Sequence, residues 1–136
     1  MNPLEKRGKV DKLIARLNNE ILVVEGKRDE AALRDIGVTG DIVIAVGNIE
    51  RLVNRIASKC RGEPAVILFD FDETGNERTS QLSERLIHEG FPPDIATRKT
   101  LRRLLGLRFF EEADSKYDKL LEQVENQTKM KKIKKK

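Results

Sequence analysis

The chain has one cysteine, one histidine, one tyrosine and no tryptophan among its 136 residues. Cys60 alone cannot close an internal disulfide, and with only His88 beside it the nitrogen and sulfur ligands of a zinc site are missing. Lys59 and Arg61 flank Cys60 and would favour its thiolate, but a single histidine leaves little scope for a Cys–His nucleophile pair. Aromatic residues make up 4% of the chain, too few for a base-stacking platform. Long apolar stretches are also absent: runs such as residues 21–24 and 65–69 fall far short of the roughly 20 residues a spanning helix needs. Residues 1–9 are polar and lack the apolar segment of a secretion signal, so the expected location is cytoplasmic.

Charge is plentiful and unevenly placed. The net charge is +4, yet residues 129–136 contain six lysines and no acid, so the remainder holds 21 basic residues against 23 acidic ones. A mildly acidic body thus wears a basic extension. Such a tail reads as solvated and disordered, since like charges repel and little of it can be buried. It would attract polyanions, whether nucleic acid or an anionic membrane surface.

Hydropathy patterning supplies the architecture. Leu4, Leu13, Ile14 and Leu17 fit an amphipathic helix within residues 1–19. Residues 21–24, 42–46 and 65–69 are continuous apolar runs rich in β-branched side chains, as expected of strands covered on both faces. Helices alternate with them: one capped by Asp29 and stopped at Gly37, one capped by Asn48 with Leu52, Val53 and Ile56 on its apolar stripe, and one carrying Leu82, Leu86 and Ile87 up to Gly90. Ile95 and Ala96 are expected to form a short fourth strand. The pattern predicts an α/β fold, a parallel sheet of about four strands over residues 20–97 flanked by helices, with a helical extension over 98–128.

In a parallel sheet, residues just past the strand ends share one edge, the edge where open α/β sheets bind ligands. Glu25 follows the first run directly, Asp70 follows the third, and Asp72 lies two residues on, projecting to the same side of an extended chain. If the first and third strands are neighbours, three carboxylates converge. Two unit charges about 4 Å apart repel by roughly 4 kcal/mol at a protein surface, so the cluster calls for a cation or a shared proton. Oxygen ligands alone favour Mg2+ or Mn2+, and Mg2+ held by carboxylates completes its shell with water and phosphate. For any one of these acids a helix cap or an ion pair, for example Glu25 with Lys27 or Arg28, is the competing reading.

The two clusters, Glu25-Gly26-Lys27-Arg28-Asp29 and Asp70-Phe71-Asp72-Glu73-Thr74-Gly75, resemble the two halves of the Toprim signature. The resemblance covers about residues 20–95 and implies a Toprim, Rossmann-like fold. It further implies that Asp70 and Asp72 bind Mg2+, one ion or two with Mn2+ as substitute, and that Glu25 binds metal or acts as general acid/base. Toprim domains occur in topoisomerases, primases, nucleases and a ribosomal RNA maturase. Thr74 stands where topoisomerases carry a further acid, so the chain is closer to the primase and maturase forms; Thr74 with Glu77 also reads as a capping box. Tyr117, the only tyrosine, lies in a charged helical segment and reads as a packing residue, not a strand-cleaving nucleophile.

A second basic cluster, Arg98, Lys99, Arg102, Arg103 and Arg108, follows the last expected strand, with Arg98 and Arg102 one helical turn apart. Together with Lys27 it is a candidate grip on RNA or DNA phosphates. The expected function is Mg2+-dependent phosphodiester cleavage of structured RNA or DNA. The alternatives are a non-catalytic, metal-dependent nucleic-acid-binding module and a haloacid-dehalogenase-type phosphatase with Asp70 as nucleophile.

Overall fold

Continuous apolar runs form the centre of the molecule. In the computed structural model, which describes residues 1–134, four strands, Ile21–Val24 (β1), Asp41–Ile44 (β2), Ala65–Ile67 (β3) and Pro93–Asp94 (β4), build one sheet. The sheet is parallel throughout, in the order β2-β1-β3-β4. Parallel neighbours need crossovers, and helices Lys27–Asp35 (α2), Ile49–Lys59 (α3) and Glu73–His88 (α4) provide them. Pro3–Leu17 (α1) precedes the sheet, while Ala96–Leu105 (α5), a 3-10 turn at Phe110–Glu112 and the long Ala113–Lys134 (α6) follow it.

The alternation of side chains along each strand sorts two cores. Leu22, Val24, Val66 and Leu68 face the layer of α1, α2, α5 and α6, where Val10, Leu33, Leu101 and Phe110 are buried. Ile21, Val23, Val43, Ile67 and Phe69 face the layer of α3 and α4, packing on Leu52, Ile56, Leu82 and Leu86. Both faces of β1 and β3 are thus covered, which is why their sequences carry no polar alternation. Among the described residues no helix is long and apolar enough to cross a membrane.

Several local expectations are corrected. The fourth strand is Pro93–Asp94, and Ile95 is the exposed residue that starts α5. The carboxylate of Asp94 caps that helix by accepting the N–H groups of Ala96 and Thr97, which ends the strand before Ile95. Gly26, not Asp29, is the N-cap of α2; Asp29 sits in the first turn and reaches back to accept the Gly26 N–H at 3.1 Å. Asp72, not Thr74, caps α4. Leu4 and Ile87, assigned to apolar stripes, are 52% and 63% exposed. The lysine-rich tail does not leave the fold at residue 129: α6 runs on to Lys134, because a helix already fixed by the buried Leu120 and Val124 propagates at one hydrogen bond per added residue. Residues 135–136 of that tail lie outside the described residues.

Candidate functional site

β1 and β3 are hydrogen-bonded neighbours, with Val23 level with Ile67, so the residues after them meet at one rim. Glu25 Oε1 accepts the backbone N–H of Asp70 at 2.6 Å, and Glu25 Oε2 lies 3.4 Å from the guanidinium of Arg78 on α4. Asp70 Oδ1 accepts the N–H of Phe110 at 2.9 Å, which ties the 3-10 turn to the strand end. Asp72 Oδ1 accepts the N–H of Gly75 at 2.7 Å, the interaction expected of an N-cap carboxylate. The turn from Asp70 to Gly75 is tight: a Cβ on Gly75 would lie 2.0 Å from the Asp70 carbonyl oxygen. Only glycine lets α4 begin this close to β3.

The rim is electrostatically loaded. Burial pushes the Asp70 carboxyl up, and Glu25, Asp72 and Glu111 push it further, while the Phe110 N–H opposes them. Asp29, buried behind Gly26, is raised to about 6, first by burial and then by Asp70, Glu25 and Glu111. The sequence marks Asp29 only as a helix cap, yet it belongs to this acidic group. Arg78 was likewise missed. It follows the glycine of the second cluster by one helical turn, a spacing that aims it back at the rim.

The structure separates the expected phosphate-binding cations. Arg98 is buried; it donates to the carbonyls of Phe69 and Asp70 and to Oδ1 of Asn76, and its guanidinium lies 4.4 Å from the centre of the Phe71 ring. It braces the Asp70 loop from inside the protein, which sets it apart from the exposed cations of the cluster. Arg102 also lies over Phe71, 4.7 Å from the ring centre, and is exposed. Lys27 in the first turn of α2 and Lys99 on α5 are exposed. Arg103 turns away into a recess between α1, α5 and α6. Phe71 itself stacks on Phe110, ring centres 5.6 Å apart, which packs the loop between the two aspartates against the helical layer.

Cys60 sits at a helix end as an inert thiol, and its basic neighbours do not activate it. It caps the end of α3, its thiol donates to the Glu63 carbonyl, and burial together with Glu63 pushes the thiol up. Tyr117 packs against the helical core and donates its hydroxyl to Asp11, as expected of a structural tyrosine.

Among the described residues, no three Asp, Glu, His or Cys side chains stand as a ready-made metal cage. The residues present nonetheless suit Mg2+, which takes one or two carboxylates and fills the rest of its shell from water and phosphate. Asp70 and Asp72 each bond through Oδ1, and among the described residues neither Oδ2 has a hydrogen-bond partner. A cation there would offset the repulsion from Glu25, Asp72 and Glu111 that adds to burial in raising Asp70.

Fold and rim define a class: small α/β proteins with a four-stranded parallel sheet and carboxylates gathered past two adjacent strand ends. No family model matches the chain. It is 37% identical over 101 residues to a UPF0292 protein of Pyrococcus furiosus, covering 72% of this chain and 74% of that protein. It therefore belongs to the UPF0292 family. A Thermococcus gammatolerans UPF0292 protein is 40% identical over 89 residues, and there the chain spans 61% of its relative's length. A solved structure from Aquifex aeolicus superposes with a TM-score of 0.64 at 25% identity, over 75% of this chain and 95% of that one.

Proposed function

We propose that this protein is a Toprim-type, Mg2+-dependent nucleic-acid-processing protein whose reaction is phosphodiester cleavage. The observation that carries this reading is the direct hydrogen bond between Glu25 and Asp70, which joins two distant acidic motifs at one rim. Asp70 and Asp72 would hold the metal through their second carboxylate oxygens. Bound there, Mg2+ would polarise a phosphoryl oxygen and stabilise charge on the leaving oxygen. Glu25 would hold metal or move a proton, a role supported by the bond to the Asp70 backbone N–H that keeps its side chain at the rim. Arg102, exposed over Phe71, offers a cation to a neighbouring backbone phosphate. Arg98 holds the Asp70 loop in place from behind.

Purified protein incubated with structured RNA and with single-stranded DNA, with and without Mg2+, tests the reading. Metal-dependent cleavage that a Glu25→Gln variant loses is expected. Equal cleavage by that variant rejects the mechanism. A second reading, a metal-dependent binding module without turnover, is favoured by the Arg78 guanidinium already beside Glu25; salt-sensitive, Mg2+-dependent binding with no cleavage would select it. The phosphatase alternative draws less support, because it gives no role to Glu25, which is bonded to the Asp70 backbone at the same rim.

A further inference from the structure

We propose that the recess between α1, α5 and α6 is a phosphate-binding site, separate from the carboxylate rim and independent of its metal. The recess has a volume of about 240 Å3, with Lys6, Arg103, Lys116 and Lys119 among its lining residues and Leu105 and Gln123 beside them. The four cations come from three different helices, and among the described residues no carboxylate lines the space. Among the described residues none of the four is in an ion pair within 4.0 Å, although Lys116 is near enough to Glu112 to help hold its carboxyl down.

This concentration of positive charge stands out against its setting. Without the six terminal lysines the chain carries 21 basic and 23 acidic residues, so an acid-free hollow with four cations departs from the average surface. Helix-end electrostatics accounts for only one of them. Arg103 lies in the last turn of α5, where a cation complements the dipole; Lys6 on α1 and Lys116 and Lys119 on α6 have no such reason to face the same space. Like charges brought together in a partly enclosed hollow repel, and a multivalent anion removes the repulsion.

The donor chemistry suits a tetrahedral oxyanion of the phosphate kind. An arginine fork takes two phosphate oxygens at once, and lysine ammonium groups add point contacts from other directions. An oxyanion with several oxygens pointing in different directions can engage cations on three helices together. Gly106, which caps α5 with φ +71° and has open space where a side chain would be, narrows nothing at the recess. The phosphate can belong to a small ester, to the end of a polynucleotide or to its backbone; the shared chemistry is a tetrahedral oxyanion.

The test titrates the full chain with inorganic phosphate while amide chemical shifts are followed, with chloride at matched ionic strength as control. Saturable shifts centred on Gly106, Lys116 and Lys119 are expected, absent with chloride. The Arg103→Gln/Lys119→Gln double variant, altered at two exposed positions, should weaken binding by about tenfold or more, equivalent to roughly 1.4 kcal/mol per factor of ten. Glu25→Gln should leave it unchanged, so this site and the metal rim can fail separately. Shifts that never saturate, that chloride reproduces, or that survive in the double variant would overturn the proposal. Oligonucleotides with and without a terminal phosphate then compete for the recess. Displacement by both assigns backbone phosphate as the source, displacement only by the phosphorylated one assigns a phosphate monoester, and either result keeps the site.

Discussion

The guanidinium of Arg78 stands 3.4 Å from the carboxylate of Glu25, and its other nitrogen donates to the Ala45 carbonyl at 3.3 Å. Arg78 also lies over the Phe69 ring, 5.2 Å from its centre. A side chain of α4 therefore supplies Glu25 with a built-in positive partner, in competition with any metal that Glu25 would share.

Arg78→Gln is expected to raise affinity for Mg2+ or Mn2+ by about threefold to tenfold, because the carboxylate loses its internal counter-ion. Stability without metal should fall by no more than about 1 kcal/mol, since the pair is partly exposed and screened. Calorimetric titration with Mn2+ reads the first effect and thermal melting the second. Weaker metal binding in the variant would show that Arg78 orients Glu25 and does not compete for it.

Asp29 predicts a pH dependence of stability. Its folded-state value of about 6 lies above the ordinary 3.8, so between these limits the folded protein holds more protons than the unfolded chain. Stability should therefore fall as pH rises through that window, and the loss should be complete above it. Asp29→Asn keeps an acceptor for the Gly26 N–H and removes the charge, and should stabilise the protein by about 1–3 kcal/mol at pH 8. The gain should vanish near pH 4. Urea unfolding at both values checks the sign; a variant less stable at pH 8 would mean that the carboxylate is needed as an anion.

Arg98 and Arg102 are one helical turn apart and predict opposite sensitivities. Arg98→Met strips the carbonyls of Phe69 and Asp70 and the side chain of Asn76 of their donor, and should cost about 2–4 kcal/mol. Arg102→Gln, at an exposed position over Phe71, should stay within about 1 kcal/mol. Thermal denaturation of the two variants decides; equal losses would contradict the buried bracket described for Arg98.

These residues also show what sequence can and cannot carry. The strand runs at Ile21–Val24 and Ala65–Ile67 were legible because burial on both faces leaves no polar alternation, and their adjacency brings Glu25 to Asp70. Arg98 was misread because an arginine on an amphipathic pattern looks solvent-facing. Its partners are carbonyls at the end of β3, a site that exists only once α5 docks there. Asp29 was misplaced by one turn because Gly26 has no side chain with which to announce a cap. Arg103 could not be assigned to its recess because two of the three helices that build it, α1 and α6, lie at opposite ends of the chain.

The outermost strand, Pro93–Asp94, is two residues long and begins with a residue that has no amide hydrogen. A foreign chain seeking to extend the sheet there meets almost no ladder to copy, so this border is protected against intermolecular strand addition. Self-association by strand pairing would have to start from the opposite border, at Asp41–Ile44.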